Sequence, residues 1–271
     1  MIKYYKILIY LSIFFFPNTI MAYSSSSYLI SQNAITNYDF SEVLSQYNFN
    51  KNEYANNNYI DQLISAVIAE NIDVAEKISK KMLLNDPNNQ EAKLVKMVNA
   101  YNSKQIRDLN ELRFDTSNNK NDLLEFLFFT DDKVRTKSRI SNSFLEIVKS
   151  SYSKNEYNLS KNYNFLLFYT SLAILIDREN YEAVFIKGQL LQIINDYLFA
   201  EITFLKIPKK SKYFLDAQRN IAFNYSKENG FEDAEEKIKS IVILNNDDYE
   251  LKKILADFYR IEKKFETAIN I

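Results

Sequence analysis

Slid against itself by 34 residues, the C-terminal half of this chain matches in six columns. Gly188, Ala222 and Ala256 fall together, as do Tyr197, Phe231 and Phe265, then Ala200, Ala234 and Ala268. Phe204 meets Ile238, Ile207 meets Ile241, and Tyr225 meets Tyr259. A fixed period of this length constrains the fold strongly, because each period must be one supersecondary unit that stacks on the next.

The spacing within one period describes that unit. Gln218, Ile221, Ala222 and Tyr225 share one helical face, and Phe231, Ala234, Ile238 and Ile241 share another. Between them, Asn229-Gly230 predicts a tight turn at positive φ. The small column at 188, 222 and 256 lets the paired helix approach closely, and a lone pair cannot bury both of its faces, so units must stack. Two glycines and three prolines in 271 residues cannot furnish the turns of a sandwich or barrel. The expected fold class is therefore all-α, an α-solenoid of antiparallel helix pairs.

These columns resemble the tetratricopeptide repeat (TPR), and the chain is similar to exported bacterial TPR proteins. Units over 181–214, 215–248 and 249 onward fit without insertion, although Lys212 and Asn246 stand where the family usually has proline. Residues 73–92 resemble a second helix and closing turn, with Ala75 as the small residue. In the turn Asp86-Pro87-Asn88-Asn89, Pro87 is expected to open the next helix. Residues 162–183 resemble the same half-unit, and residues 27–47 look like an opening repeat, with Asp39-Phe40 and Val43 at the turn and small-residue places. Residues 102–160 match poorly and read as degenerate helical pairs, including an apolar helix over 123–129, while 48–58 is an Asn-rich joint. The expected organisation is a signal peptide over 1–22, TPR-like repeats over 23–100, degenerate repeats over 101–180, and regular units over 181–271.

The last unit is incomplete. Ten residues carry the helix past Ala234 to Leu244, but only three follow Ala268. Either the array is expected to continue beyond Ile271, or Phe265 and Ile269 are covered by another molecule.

The first 22 residues have the layout of a secretory signal. Lys3 and Lys6 form a basic start, residues 7–16 are an apolar run too short for a membrane span, and Ile20-Met21-Ala22 precedes the expected cut. Cleavage would remove both lysines and take the net charge from −1 to −3. The expectation is export, most simply to a bacterial periplasm, with membrane attachment only through an uncleaved signal segment.

Chemistry is narrowly bounded. The chain has no His and no Cys, which excludes Ser-His-Asp and Cys-His nucleophiles, zinc sites built on imidazole or thiolate, and disulfides. Gly188 and Gly230 are too far apart for a phosphate-cradling loop. The run Glu232, Asp233, Glu235, Glu236 reads as a solvated helix start, and Asp131-Asp132 and Asp247-Asp248 as turns and caps. Phe126, Phe128, Phe129, Phe165, Phe168 and Tyr169 read as core. No catalytic residues, cofactor or metal are expected, and a net charge of −1 gives no field that would draw nucleic acid.

The TPR resemblance implies a concave surface lined by the first helix of each pair. On that face lie Gln189, Arg219, Asn220, Phe223, Lys227, Lys253, Asp257 and Arg260, four of them basic, and only Arg219 beside Asn220 hints at the family's carboxylate clamp. The expected function is a non-catalytic adaptor or scaffold that binds a protein or peptide partner in the bacterial cell envelope. The alternatives are a glycan- or polymer-associated envelope assembly or export module, and an accessory repeat domain of a longer protein.

Overall fold

The computed structural model describes residues 29–49, 59–113, 122–130, 133–154, 163–244 and 249–271. The expected signal segment, most of the Asn-rich joint, Asp131-Asp132 and Asp247-Asp248 lie outside the described residues. The described backbone is helical almost throughout, in packed neighbouring pairs, and divides into two compact units, Met1–Lys120 and Asn121–Ile271. The boundary falls inside the segment whose sequence matches the repeat pattern poorly.

The first unit runs through α1 (29–36), α2 (Phe40–Phe49), α3 (Tyr59–Ile68), α4 (Ile72–Asn85), α5 (Gln90–Asn102) and α6 (Ile106–Arg113). The second opens with α7 (Asp122–Phe128) and a short antiparallel hairpin, β1 (Phe129–Thr130) with β2 (Lys133–Val134), which pairs Phe129 with Val134. It continues through α8 (Lys137–Lys154), α9 (Tyr163–Ile176), α10 (Tyr181–Ile193), α11 (Tyr197–Phe204), α12 (Phe214–Asn229), α13 (Phe231–Leu244), α14 (Tyr249–Ile261) and α15 (Phe265–Ile269). Among the described residues no helix is long and apolar enough to cross a membrane.

Two kinds of link recur, and each follows from local chemistry. One turns the chain on a single left-handed residue: Tyr38, Glu70, Lys104, Asn195 and Lys263 have φ of 60, 57, 58, 62 and 61°. The next N–H reaches the carbonyl five residues back, as in Asn71 to Ala66 at 2.9 Å and Lys264 to Tyr259 at 2.8 Å, which satisfies the orphan carbonyls of the ending helix. After Tyr38, Glu70 and Asn195 an Asx side chain then opens the following helix. The Asp39 carboxylate accepts from the Glu42 N–H at 3.0 Å, Asn71 from Val74 at 3.2 Å, and Asp196 from Phe199 at 3.3 Å.

The other link reads Asp-x-x-Asn, at Asp86-Pro87-Asn88-Asn89 and Asp177-Arg178-Glu179-Asn180. The Asp carboxylate accepts from the N–H two residues on, Asn88 at 3.0 Å and Glu179 at 3.2 Å. The Asn then caps the next helix, from Ala92 at 2.9 Å and from Ala183 at 3.2 Å. Pro87 therefore sits in the turn and does not open α5, since Asn89 is the cap.

Inside the first unit the core is built from small and medium aliphatics, among them Val43, Leu63, Ala75, Ile78, Leu94 and Met97. In the second unit α9 is apolar on every side, and all its residues from Leu166 to Ile176 are buried between α8 and α10. Phe128, Phe144 and Tyr169 meet edge to face, 6.0 Å between successive ring centres. Phe126 and Phe165 depart from the core expectation. Phe126 is exposed under the Arg135 guanidinium, 5.8 Å from its ring centre, and Phe165 is 38% exposed.

The small column behaves as its size demands. A Cβ at Gly188 would lie 2.4 Å from the fully buried Phe204 ring, so this glycine provides space. One period on, Ala222 and the smaller Ile238 share one buried cluster. Gly230 serves conformation instead, with φ 88° and ψ 177° and nothing near its missing Cβ.

Candidate functional site

The eight candidate residues all lie in the second unit, and seven of them divide between two hollows. The larger, a cleft of ≈ 780 Å³, has walls from three alternate helices, joined by Tyr197 at the start of α11. Val148 and Lys149 come from α8, Ile186, Gln189 and Ile193 from α10, and Asn220 and Phe223 from α12. Of the candidates, Gln189, Asn220 and Phe223 are thus brought together. Val148 and Lys149 were missed, because α8 belongs to the stretch in which the repeat pattern cannot be followed.

One wall of this cleft is braced from behind. Gln192 donates its amide to the Asn224 side-chain oxygen, and the Asn224 amide reaches the Tyr197 carbonyl at 3.4 Å. Asn224 is fully buried, so this pair holds α10 against α12 through groups that would be costly to leave unmatched. The sequence signal is a lone amide between Phe223 and Tyr225, on a face that otherwise packs. At the cleft edge the Lys149 ammonium meets Glu182 at 2.8 Å, and this hydrogen bond, above all, raises the lysine's pKa.

The second hollow, of ≈ 560 Å³, gathers Arg219, Lys253, Asp257 and Arg260 with Ala256, Phe265, Ala268 and Ile269. Arg219 and Asn220 consequently face different hollows, and the structure does not assemble them into one clamp. The four basic residues are also engaged within their own helices. Arg219 pairs with Asp216 at 2.8 Å, and Arg260 pairs with Asp257. Lys227 lies 5.2 Å above the Phe223 ring centre and Lys253 lies 4.7 Å above that of Tyr249. Lys227 lines neither hollow. The field here is weaker than a count of cations implies, since two of them sit against carboxylates.

The larger cleft offers apolar walls from Val148, Ile186 and Ile193, an exposed ring at Phe223, and the Gln189 amide at the surface. Such a lining suits side chains of an extended segment and places hydrogen-bonding amides beside them. The chain matches no family model, and it matches no curated protein and no solved structure.

Proposed function

We propose that this chain is a non-catalytic helical-repeat adaptor of TPR type, exported to the bacterial cell envelope, which holds a protein or peptide partner in the cleft between α8, α10 and α12. The observation that carries the reading is the origin of the cleft walls. Apart from Tyr197 at the start of α11, they come from the alternate helices α8, α10 and α12, the arrangement in which the first helix of each pair lines one common face. The second helices α11, α13 and α15 begin at Tyr197, Phe231 and Phe265, each 34 residues after the last, which supports the repeat reading. The left-handed residue recurring between paired helices supports it further.

Binding would rest on a few anchors, with Phe223 and Ile193 supplying apolar contact and Gln189 supplying register. The test is site-specific photocrosslinking in the full-length chain, with the crosslinker placed at Gln189 or at Phe223, in envelope material. The same polypeptide captured at both positions, and lost in Ile193→Asp, supports the adaptor. An oligosaccharide adduct would move the chain to the glycan-associated class. No adduct at either position, with the Arg219→Glu and Lys253→Glu variants retaining every partner, would overturn a groove-binding function.

A further inference from the structure

We propose that α11 and the lysine-rich segment after it form a docking surface for an anionic lipid bilayer. The helix Tyr197–Phe204 is apolar on both sides. Its inner side is buried through Ala200, Thr203 and Phe204. Its outer side carries Leu198, Phe199 and Ile202 and, one turn on, Leu205, exposed by 57, 51, 46 and 56%. Spaced at three and four residues, Leu198, Ile202 and Leu205 form one stripe, with Phe199 at its flank.

An internal control sits 34 positions further on. There Glu232, Asp233, Glu236 and Lys239 replace these four residues, and all are exposed on α13. At these four positions α13 has the polar outer face that water demands, and α11 does not.

Charge selects the occupant. Directly after the apolar stripe come Lys206, Lys209, Lys210 and Lys212, all exposed, with no acidic residue between Glu201 and Asp216. Glu201 is turned aside into a 3.2 Å ion pair with Lys237 of α13. The segment is anchored by Ile207, which is 2% exposed, and by the Ser211 N–H bonded to the Pro208 carbonyl at 2.9 Å. Its course is therefore fixed directly after the stripe, with the Lys212 ammonium 4.9 Å from the Tyr213 ring centre. Apolar side chains at acyl depth with several ammonium groups at headgroup level are the two signals that stable peripheral attachment needs. The chain's net charge of −1 does not oppose this, because contact distances are shorter than the screening length of about 10 Å at 0.1 M salt.

The experiment is co-sedimentation of the full-length protein with vesicles of equal phosphatidylcholine and phosphatidylglycerol, against vesicles of phosphatidylcholine alone. The expected result is binding at least about tenfold tighter to the anionic vesicles, weakened by raising salt from about 0.1 to 0.5 M. Lys209→Glu/Lys210→Glu should lose at least about tenfold, and Phe199→Ser/Ile202→Ser a similar factor, both with unchanged helical circular dichroism. Equal affinity for the two vesicles would overturn the proposal. So would variants that bind like the parent, which would assign attachment to the apolar run at residues 7–16. Self-association without lipid, abolished by Phe199→Ser/Ile202→Ser, would assign the face to a second copy instead.

Discussion

Two glycines serve opposite needs, and substituting each with alanine separates them. At Gly188 the helix would welcome a Cβ, but the Phe204 ring occupies its place. Gly188→Ala should lower stability by about 1–3 kcal/mol in chemical denaturation, and Phe204→Leu in the same chain should restore part of it. At Gly230 there is room and no permissible conformation, so Gly230→Ala should cost about 1–3 kcal/mol that no neighbouring truncation recovers. The first role was legible in the small repeat column and the second in the Asn229-Gly230 turn. The role of Glu235 was not. In sequence it belongs to an acidic helix start, yet in space it accepts from Lys239 and, at 2.6 Å, from the Tyr259 hydroxyl of α14. These bonds, led by that from Lys239, hold its carboxyl below the usual glutamate range. A depressed folded value stabilises above the unfolded one, and the contribution is lost as acid protonates the carboxylate. Glu235→Gln should therefore show a shallower loss of melting temperature from about pH 5 downward than the parent. Asp61 acts in the opposite sense. Burial raises its carboxyl, outweighing the Gln32 hydrogen bond, so its ionisation as pH rises opposes folding.

At the scale of elements, the links carry the fold. Turns on Tyr38, Glu70, Lys104 and Lys263 use side chains that the left-handed region penalises, and their cost is offset by the satisfied carbonyls. Lys104→Gly should raise stability by about 1 kcal/mol, read as a melting temperature higher by a few degrees. Asn180 has the contrary role. It caps α10, and its amide also donates to Ser141 at 2.8 Å and Asn142 at 3.0 Å on α8. Asn180→Ala should cost about 1–2 kcal/mol and loosen α8 from α10, visible as faster amide exchange at the start of α10. The Asx caps announce helix starts because their chemistry is local. The β1–β2 hairpin does not announce itself, for the sequence between its strands is Asp-Asp and lacks the Asn-Gly signal of tight hairpins. The exposure of Phe126 and Phe165 was equally hidden. Apolar character places a residue on a helix but does not say which neighbours are present to cover it.

For the whole molecule, composition sets the response to pH. With no His and no Cys, no side chain has an ordinary pKa between the carboxylates and the phenols and amines. Stability should be nearly flat from about pH 6 to 8, and a denaturation midpoint that moves in this interval would contradict it. The helical class was legible throughout, since scarce glycine and proline act on every link at once. The division at Lys120 and Asn121 was not, because a polar stretch reads alike as a joint or as a degenerate repeat. Within each unit the principal packing joins helices adjacent in the chain or one removed, from α2 on α3 to α14 on α15. Such a chain can acquire its structure in the order in which it is delivered. Each helix meets its partner within about one period of appearing, whether it leaves a ribosome or a pore, and nothing has to wait for the far end to arrive.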